Sequence, residues 1–176
     1  MEIRQLELRD HDAVERFVAR IPEGDRTFFK EDVADRKVVA AWTELGATRS
    51  VAVDGGAVVG YVALIPLPGW SSHVGEVRVI VDPDHRHRGI GRALARYAVL
   101  EALTLGLRKM VVEVVADQEA TIAMFRSLGF EPEALLTDHV RDHDGGMRDL
   151  MVLAHSVDDS FASMAAVGLG DAIGER

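Results

Sequence analysis

A chain of 176 residues, 48% apolar and 28% charged, is long enough for one substantial core, crowded for two, and too hydrophobic to be disordered. Its formal charge of -9 argues against nucleic acid as a partner, because neutralising phosphates takes a surplus of Lys and Arg. The lack of cysteine removes disulfides, thiolate ligands and a cysteine nucleophile; with no apolar signal region in Met1 to Asp10 and no run of transmembrane length, the expectation is a soluble cytoplasmic protein off the membrane.

Glu2 to Leu8 reads as a first strand, because Asp10 then caps a helical pattern running to about Arg20. Pro22 and Gly24 break that helix. A second helical pattern, from about Glu31 to Leu45, sets Val33, Val38, Ala41, Trp42 and Leu45 roughly on one face, with Gly46 as its stop. Arg49 to Val53, the turn Asp54-Gly55-Gly56 and the β-rich run Ala57 to Ile65 predict a hairpin, ended by Pro66 and Pro68. Beyond Trp70, the alternation from Val74 to Val81 predicts a fourth strand, closed by Pro83.

From Gly89 to Leu107, Ile90, Leu94, Tyr97, Ala98, Leu100, Leu103 and Leu107 recur with the period of a helix packed on a sheet. Lys109 to Val115 is a valine-rich strand, Asp117 to Ser127 a short helix, and Gly129 its left-handed terminator. Ala134 to Val140 and Met147 to Ala154 form a last hairpin around Asp144-Gly145-Gly146. One strand-helix-strand crossover in this order predicts an α/β fold of the α+β kind, a mixed sheet covered by helices, in a single domain over residues 1–155. Phe161, Met164, Ala165 and Val167 in the tail, residues 156–176, leave two expectations open: a short helix against a second subunit, hence a homodimer, or a segment in solvent.

The chemistry concentrates in Val79 to Leu94, VIVDPDHRHRGIGRAL, where a strand ends and a helix begins after two spaced glycines. Such a junction aims unpaired N–H groups and the positive end of the helix dipole at one spot, a pyrophosphate site. Arg86, His87, Arg88 and Arg92 make the turn basic in an acidic chain. A plain basic helix start on a solvated face is the bland alternative. A dinucleotide fingerprint is weaker, since its third glycine would fall at Leu94, and no Gly-Lys-Ser/Thr supports a Walker loop. His85, His87, His139 and His143 suggest metal ligation only weakly, and no metal is expected.

Arg86-His87-Arg88-Gly89-Ile90-Gly91, preceded by Val81-Asp82-Pro83, resembles the [QR]-x-x-G-x-[GA] motif of GCN5-related N-acetyltransferases (GNAT). Gln118 to Phe130, QEATIAMFRSLGF, resembles that family's N-x-x-A-I-x-L-Y-x-x-L-G-F, and the two matches sit on consecutive strand-helix units. The resemblance, good over residues 48–154, implies a GNAT-like acyl-CoA N-acyltransferase fold with a mixed, mostly antiparallel sheet. It implies acetyl-CoA as acyl donor and an amine as acceptor, attacking directly without a covalent enzyme intermediate. The backbone around Val79, Ile80 and Val81 would hold the pantetheine arm, and Arg86, His87, Arg88, Gly89, Ile90, Gly91 and Arg92 the pyrophosphate. The thioester would lie where the fourth and fifth strands splay, between about Ile80 and Val114.

Direct attack needs a proton acceptor near the splay. Glu113 matches the base position of ribosomal-protein alanine acetyltransferases, while Glu76 lies near the base of histone-type members but one residue out of register, which would turn it to the opposite face. Gln118 stands for the motif's Asn. Phe125 stands where the family's Tyr protonates the thiolate, so the acid is either water or another residue, or the domain is a catalytically weak acyl-CoA-binding module. Phe28, Phe29, Trp70, Asp138, His139 and Asp142 are candidates for the acceptor pocket.

Overall fold

The computed structural model describes residues 1–42, 48–142 and 144–158. The expected stop at Gly46, His143 and nearly all of the tail lie outside the described residues.

Strands β1 (Glu2–Gln5), β2 (Thr48–Asp54), β3 (Ala57–Pro66), β4 (Val74–Val81), β5 (Lys109–Val115), β6 (Glu131–Arg141) and β7 (Met147–Ser156) form one sheet in the order β1-β2-β3-β4-β5-β7-β6. Helices α1 (His11–Arg20), α2 (Glu23–Arg26) and α3 (Arg36–Ala41) precede β2, α4 (Ile90–Thr104) connects β4 to β5, and α5 (Glu119–Arg126) follows β5. Among the described residues only the crossover pair β4 and β5 is parallel, and every other pairing is antiparallel. The predicted mixed sheet with covering helices is the observed fold.

Alternation along the strands divides the core between the two faces of the sheet. On one face Leu94, Ala95, Ala98 and Ala102 of α4 pack with Val62, Val77, Val112, Phe125 and Phe130. On the other, Val14, Phe17 and Val18 of α1 meet Phe29, Trp42, Tyr61, Ala63 and Ile80. Gly60 on β3 allows α4 to settle on the sheet, since a Cβ there would stand 2.8 Å from Leu94 Cδ1 and 3.1 Å from Ile90 Cγ2. The start of α4 is thereby pinned beside the end of β4.

Several local expectations differ from the structure: the first strand ends at Gln5 rather than Leu8, and a short helix, Glu23–Arg26, stands where Pro22 and Gly24 predicted only a break. The second predicted helix starts at Arg36 rather than about Glu31, because Asp32 accepts from Ala34 N and Asp35 from Lys37 N, side-chain bonds that favour turns over continued helix, while its expected end at Leu45 lies outside the described residues. Asp10 precedes α1, but its side chain accepts no capping hydrogen bond from that helix. Its carboxylate instead accepts from Arg4 at 2.6 and 2.7 Å and from Glu7 N, and the Arg4 bond holds it below the usual carboxylate range. This pair ties β1 to the entry of α1.

β4 and β5 pair from Val74↔Lys109 to Val77↔Val112, where their register ends. β4 continues to pair with β3 as far as Val81↔Gly60, and β5 with β7 as far as Val115↔Leu150. Each strand is therefore held from its outer side while the two part from each other, opening a wedge at the sheet's centre.

Candidate active site

The turn that follows β4 is anchored from below. Asp82, 1% exposed, accepts from Asp84 N at 3.0 Å and from Arg20 Nε at 2.6 Å, and Arg20 also donates to Val58 O at 2.7 Å. Burial would raise the Asp82 pKa, but the Arg20 bond and the Asp84 N–H outweigh it and hold the carboxyl below its ordinary value. A group depressed in the folded state stabilises at pH above its unfolded value, about 3.9 for Asp, and loses that contribution as pH falls through the folded value. Asp82→Asn is therefore expected to cost about 1–3 kcal/mol at neutral pH. In urea titrations across pH, its deficit relative to wild type should shrink below the ordinary Asp range.

Past this anchor, left-handed His87 (φ 60) and Gly89 (φ 79) reverse the chain into α4. Gly89 is the N-cap and no side chain caps the helix, whose first bond is Ala93 N to Gly89 O at 3.0 Å. The N–H groups of the first turn thus lack intrahelical acceptors and face the wedge with the positive end of the dipole. Arg86 is already engaged: its Nη2 donates to Asp25 at 2.6 Å, tying the turn to α2.

Wedge and turn together form one cleft of about 1140 Å³. Val79, Ile80 and Val81 line it, with Arg86, His87, Gly89, Ile90, Gly91 and Arg92 of the turn, and Glu113, Gln118 and Phe125 opposite. Arg88 and Glu76 are not among its lining residues. Of the acceptor-pocket candidates, Phe28 and His139 line it, whereas Phe29 is core, with its ring centroid 5.7 Å from that of Trp42. Trp70 is 97% exposed and outside the lining, and Asp142 closes the last hairpin by accepting from Gly146 N at 2.8 Å.

At the narrow end of the wedge the two glutamates meet. Lys30 Nζ donates to Glu76 Oε1 at 2.7 Å and also to Glu113 Oε2. Glu76 pairs with Val111, two residues before Glu113, so both carboxylates rise from the same face of the sheet. Arg78 donates to Glu76 at 3.0 Å, to Phe29 O at 2.8 Å and to Glu31 Oε1 at 3.0 Å. Burial raises the Glu76 pKa, but Arg78 and Lys30 more than offset this and keep it below the usual carboxylate range.

Glu31 anchors this network in the core. Its two oxygens accept from Arg78, from Arg49 Nη2 at 2.8 Å and from Trp42 Nε1 at 2.5 Å, and Arg49 is itself buried, with Nε donating to the Tyr61 hydroxyl at 2.9 Å. Neutralising Glu31 would leave two arginines without their shared carboxylate, so Glu31→Gln is expected to lose about 2–4 kcal/mol in denaturant unfolding, with a matching fall in Tm. Sequence reasoning singled out none of Arg20, Lys30, Glu31, Arg49 or Asp82 as site support. The one available signal was the charged run Lys30-Glu31-Asp32 directly after two phenylalanines.

The acetyltransferase (GNAT) family profile matches residues 7–130 of this chain. The chain belongs to the GNAT family. It is 33% identical over 76 residues to the ribosomal protein bS18-alanine N-acetyltransferase of Escherichia coli K12, a match covering 43% of this chain and 51% of that one. The chain thus spans about half the length of such relatives. The L-amino acid N-acyltransferase MnaT of the same strain is 32% identical over 106 residues, 55% of this chain and 59% of that protein. Among solved structures, yncA from Salmonella typhimurium, determined with acetyl-CoA, superposes with a TM-score of 0.76 at 24% identity, covering 90% and 94% of the two chains. The ribosomal-protein-alanine N-acetyltransferase of Brucella melitensis gives 0.75 at 25%, over 89% and 99%.

Against the GNAT pattern, Phe125 is the clear departure. It is 1% exposed, packed edge-on against Phe130 with ring centroids 5.2 Å apart, and forms an apolar wall of the cleft. Neither tyrosine replaces the missing hydroxyl. Tyr61 is buried in the opposite core, where desolvation pushes its phenol well up, and Tyr97 on α4 lines a separate small depression with Ile3 and Leu100. A histidine-acid group close enough to share an ion, among the described residues, is His11, Asp12 and Glu15 on α1, outside the cleft lining, with Glu15 engaged by Arg36.

Proposed function

We propose that this chain is an acetyl-CoA-dependent N-acetyltransferase that passes the acetyl group to a primary amine of a small molecule, a peptide N-terminus or a lysine. One observation carries the reading. A single cleft joins an uncapped helix N-terminus, suited to pyrophosphate, to Glu113 and Lys30 in its lining, and the Lys30 ammonium there bridges Glu113 to Glu76.

The residues present fit the donor. N–H groups at the start of α4 and the guanidinium of Arg92 suit the pyrophosphate, and beyond Val77 the freed edge of β4 at Val79 to Val81 offers backbone groups to an extended pantetheine arm. Bound there, the donor supplies an electrophilic thioester carbonyl and a thiolate leaving group. Glu113, in the lining, takes the proton of the acceptor ammonium, and Glu76, held ionised by Arg78, binds that ammonium and orients it. With a phenyl ring at 125, water in the open cleft protonates the thiolate. The reading places the enzyme in the cytoplasm, with acetyl-CoA, the amine and a second copy of itself as its expected partners, no nucleic acid and no metal.

Phe125 favours a second reading, a weakly catalytic domain that binds acyl-CoA as a sensor. Thermal unfolding with acetyl-CoA, followed by CoA release across an amine panel, tests both. Acetyl-CoA at about 100 times its Kd should add roughly 2.7 kcal/mol and raise Tm by about 5–10 °C. A shift with amine-dependent release supports the enzyme; a shift without release supports the sensor; no shift with any acyl-CoA sinks both.

A further inference from the structure

Lys30 is held where an acceptor amine would have to sit. It caps the short turn Thr27–Phe29, its N–H donating to Thr27 O at 3.0 Å, and takes the left-handed conformation φ 57, ψ 20, uncommon for a residue with a Cβ. Phe29, fixed in the core by Trp42 and Tyr61, holds the chain immediately before it, and Arg78 reinforces the turn by donating to Phe29 O. From that position the Lys30 side chain, 33% exposed, lines the cleft and delivers Nζ to both Glu76 and Glu113.

We propose that Lys30 is itself an acetyl acceptor, a self-modification site served by the donor bound in the cleft. The inference rests on the acetyltransferase reading above. One proton of the Lys30 ammonium passes to Glu113 and on to water, freeing the nitrogen lone pair. Nζ then bonds to the thioester carbonyl carbon as the carbon–sulfur bond breaks, and the electron pair leaves on sulfur. A second nitrogen proton ends on the thiolate, giving CoA and an uncharged amide at Lys30, with no oxidation or reduction. The product removes the cation that bridges Glu76 to Glu113, so the modification alters the same carboxylate pair that an external amine uses.

The chain carries its own reference sites. Lys109 has nearly the same side-chain exposure, 36%, and an ion pair with Glu133, while Lys37 lies exposed on α3; neither lines the cleft. Incubating the full chain with acetyl-CoA and no amine, then mapping acetyl groups by peptide mass spectrometry, reads all three at once. Positioned transfer should modify Lys30 about tenfold faster or more than Lys109. Glu113→Gln should slow the reaction at Lys30 and leave Lys37 and Lys109 unchanged; Gly89→Asp should bring Lys30 down to the reference rate. Equal rates at all three lysines, or Lys30 modification that persists in Gly89→Asp, would overturn the proposal. If Lys30 stays unmodified while the same preparation acetylates added amines, the inference falls and the enzyme assignment stands; if acetyl-CoA does not bind, both fall.

Discussion

Gly89→Asp is expected to weaken acetyl-CoA binding by about 100-fold or more, roughly 2.8 kcal/mol, and to abolish the thermal shift while leaving the fold intact. The substitution separates the two outcomes because of where it lies. Gly89 has φ 79, a conformation that Asp tolerates better than most residues, and a Cβ there would meet nothing within 4 Å. At the N-cap a carboxylate also satisfies helix N–H groups and complements the dipole, so the unliganded protein should unfold within about 1 kcal/mol of wild type. The same carboxylate then fills and charges the spot offered to the pyrophosphate. Isothermal titration with acetyl-CoA, beside a urea unfolding curve, checks both halves. Retained affinity would move the phosphate site away from this turn.

Glu113→Gln should lower kcat by about 10²–10⁴-fold, the range for losing a positioned general base, with a smaller change in the amine KM. Gln keeps the shape and can still accept a hydrogen bond from an ammonium, but it cannot take the proton. Glu76→Gln should cost less in kcat, under about tenfold, and more in KM. Its carboxylate is pulled below the usual range, behind burial that works the other way, by Arg78 and Lys30, which makes it a binder of cations rather than a proton acceptor. Steady-state CoA release by both variants decides between the two glutamates. A large kcat loss in Glu76→Gln with little in Glu113→Gln would exchange the roles.

Much of the fold was legible because its signals are local. The alternation of Val77, Val79 and Val81, the helical spacing of Ile90, Leu94 and Ala98, and the punctuation by Pro83 and Gly129 each act within a few residues. The turn from Arg86 to Arg92 was legible for the same reason: glycine spacing and helix onset are short-range properties that place N–H groups together wherever the chain goes. Misreadings came where local and distant demands compete. Asp10 has the chemistry of a helix cap but finds a stronger partner in Arg4, and Glu31 has the pattern of a helix start but is claimed by Trp42, Arg49 and Arg78.

Composition, periodicity and the two strand-helix motifs therefore settled the succession of strands, the mixed sheet and the family, but not the short helix Glu23–Arg26. The tertiary structure alone decided the site's electrostatics. Lys30 lies 46 residues from Glu76 and 83 from Glu113, and Arg20 lies 62 from Asp82. No periodicity in the chain encodes pairings at such separations, because they form only when the core of Phe29, Trp42 and Tyr61 packs against the sheet and fixes which charged side chains share its face.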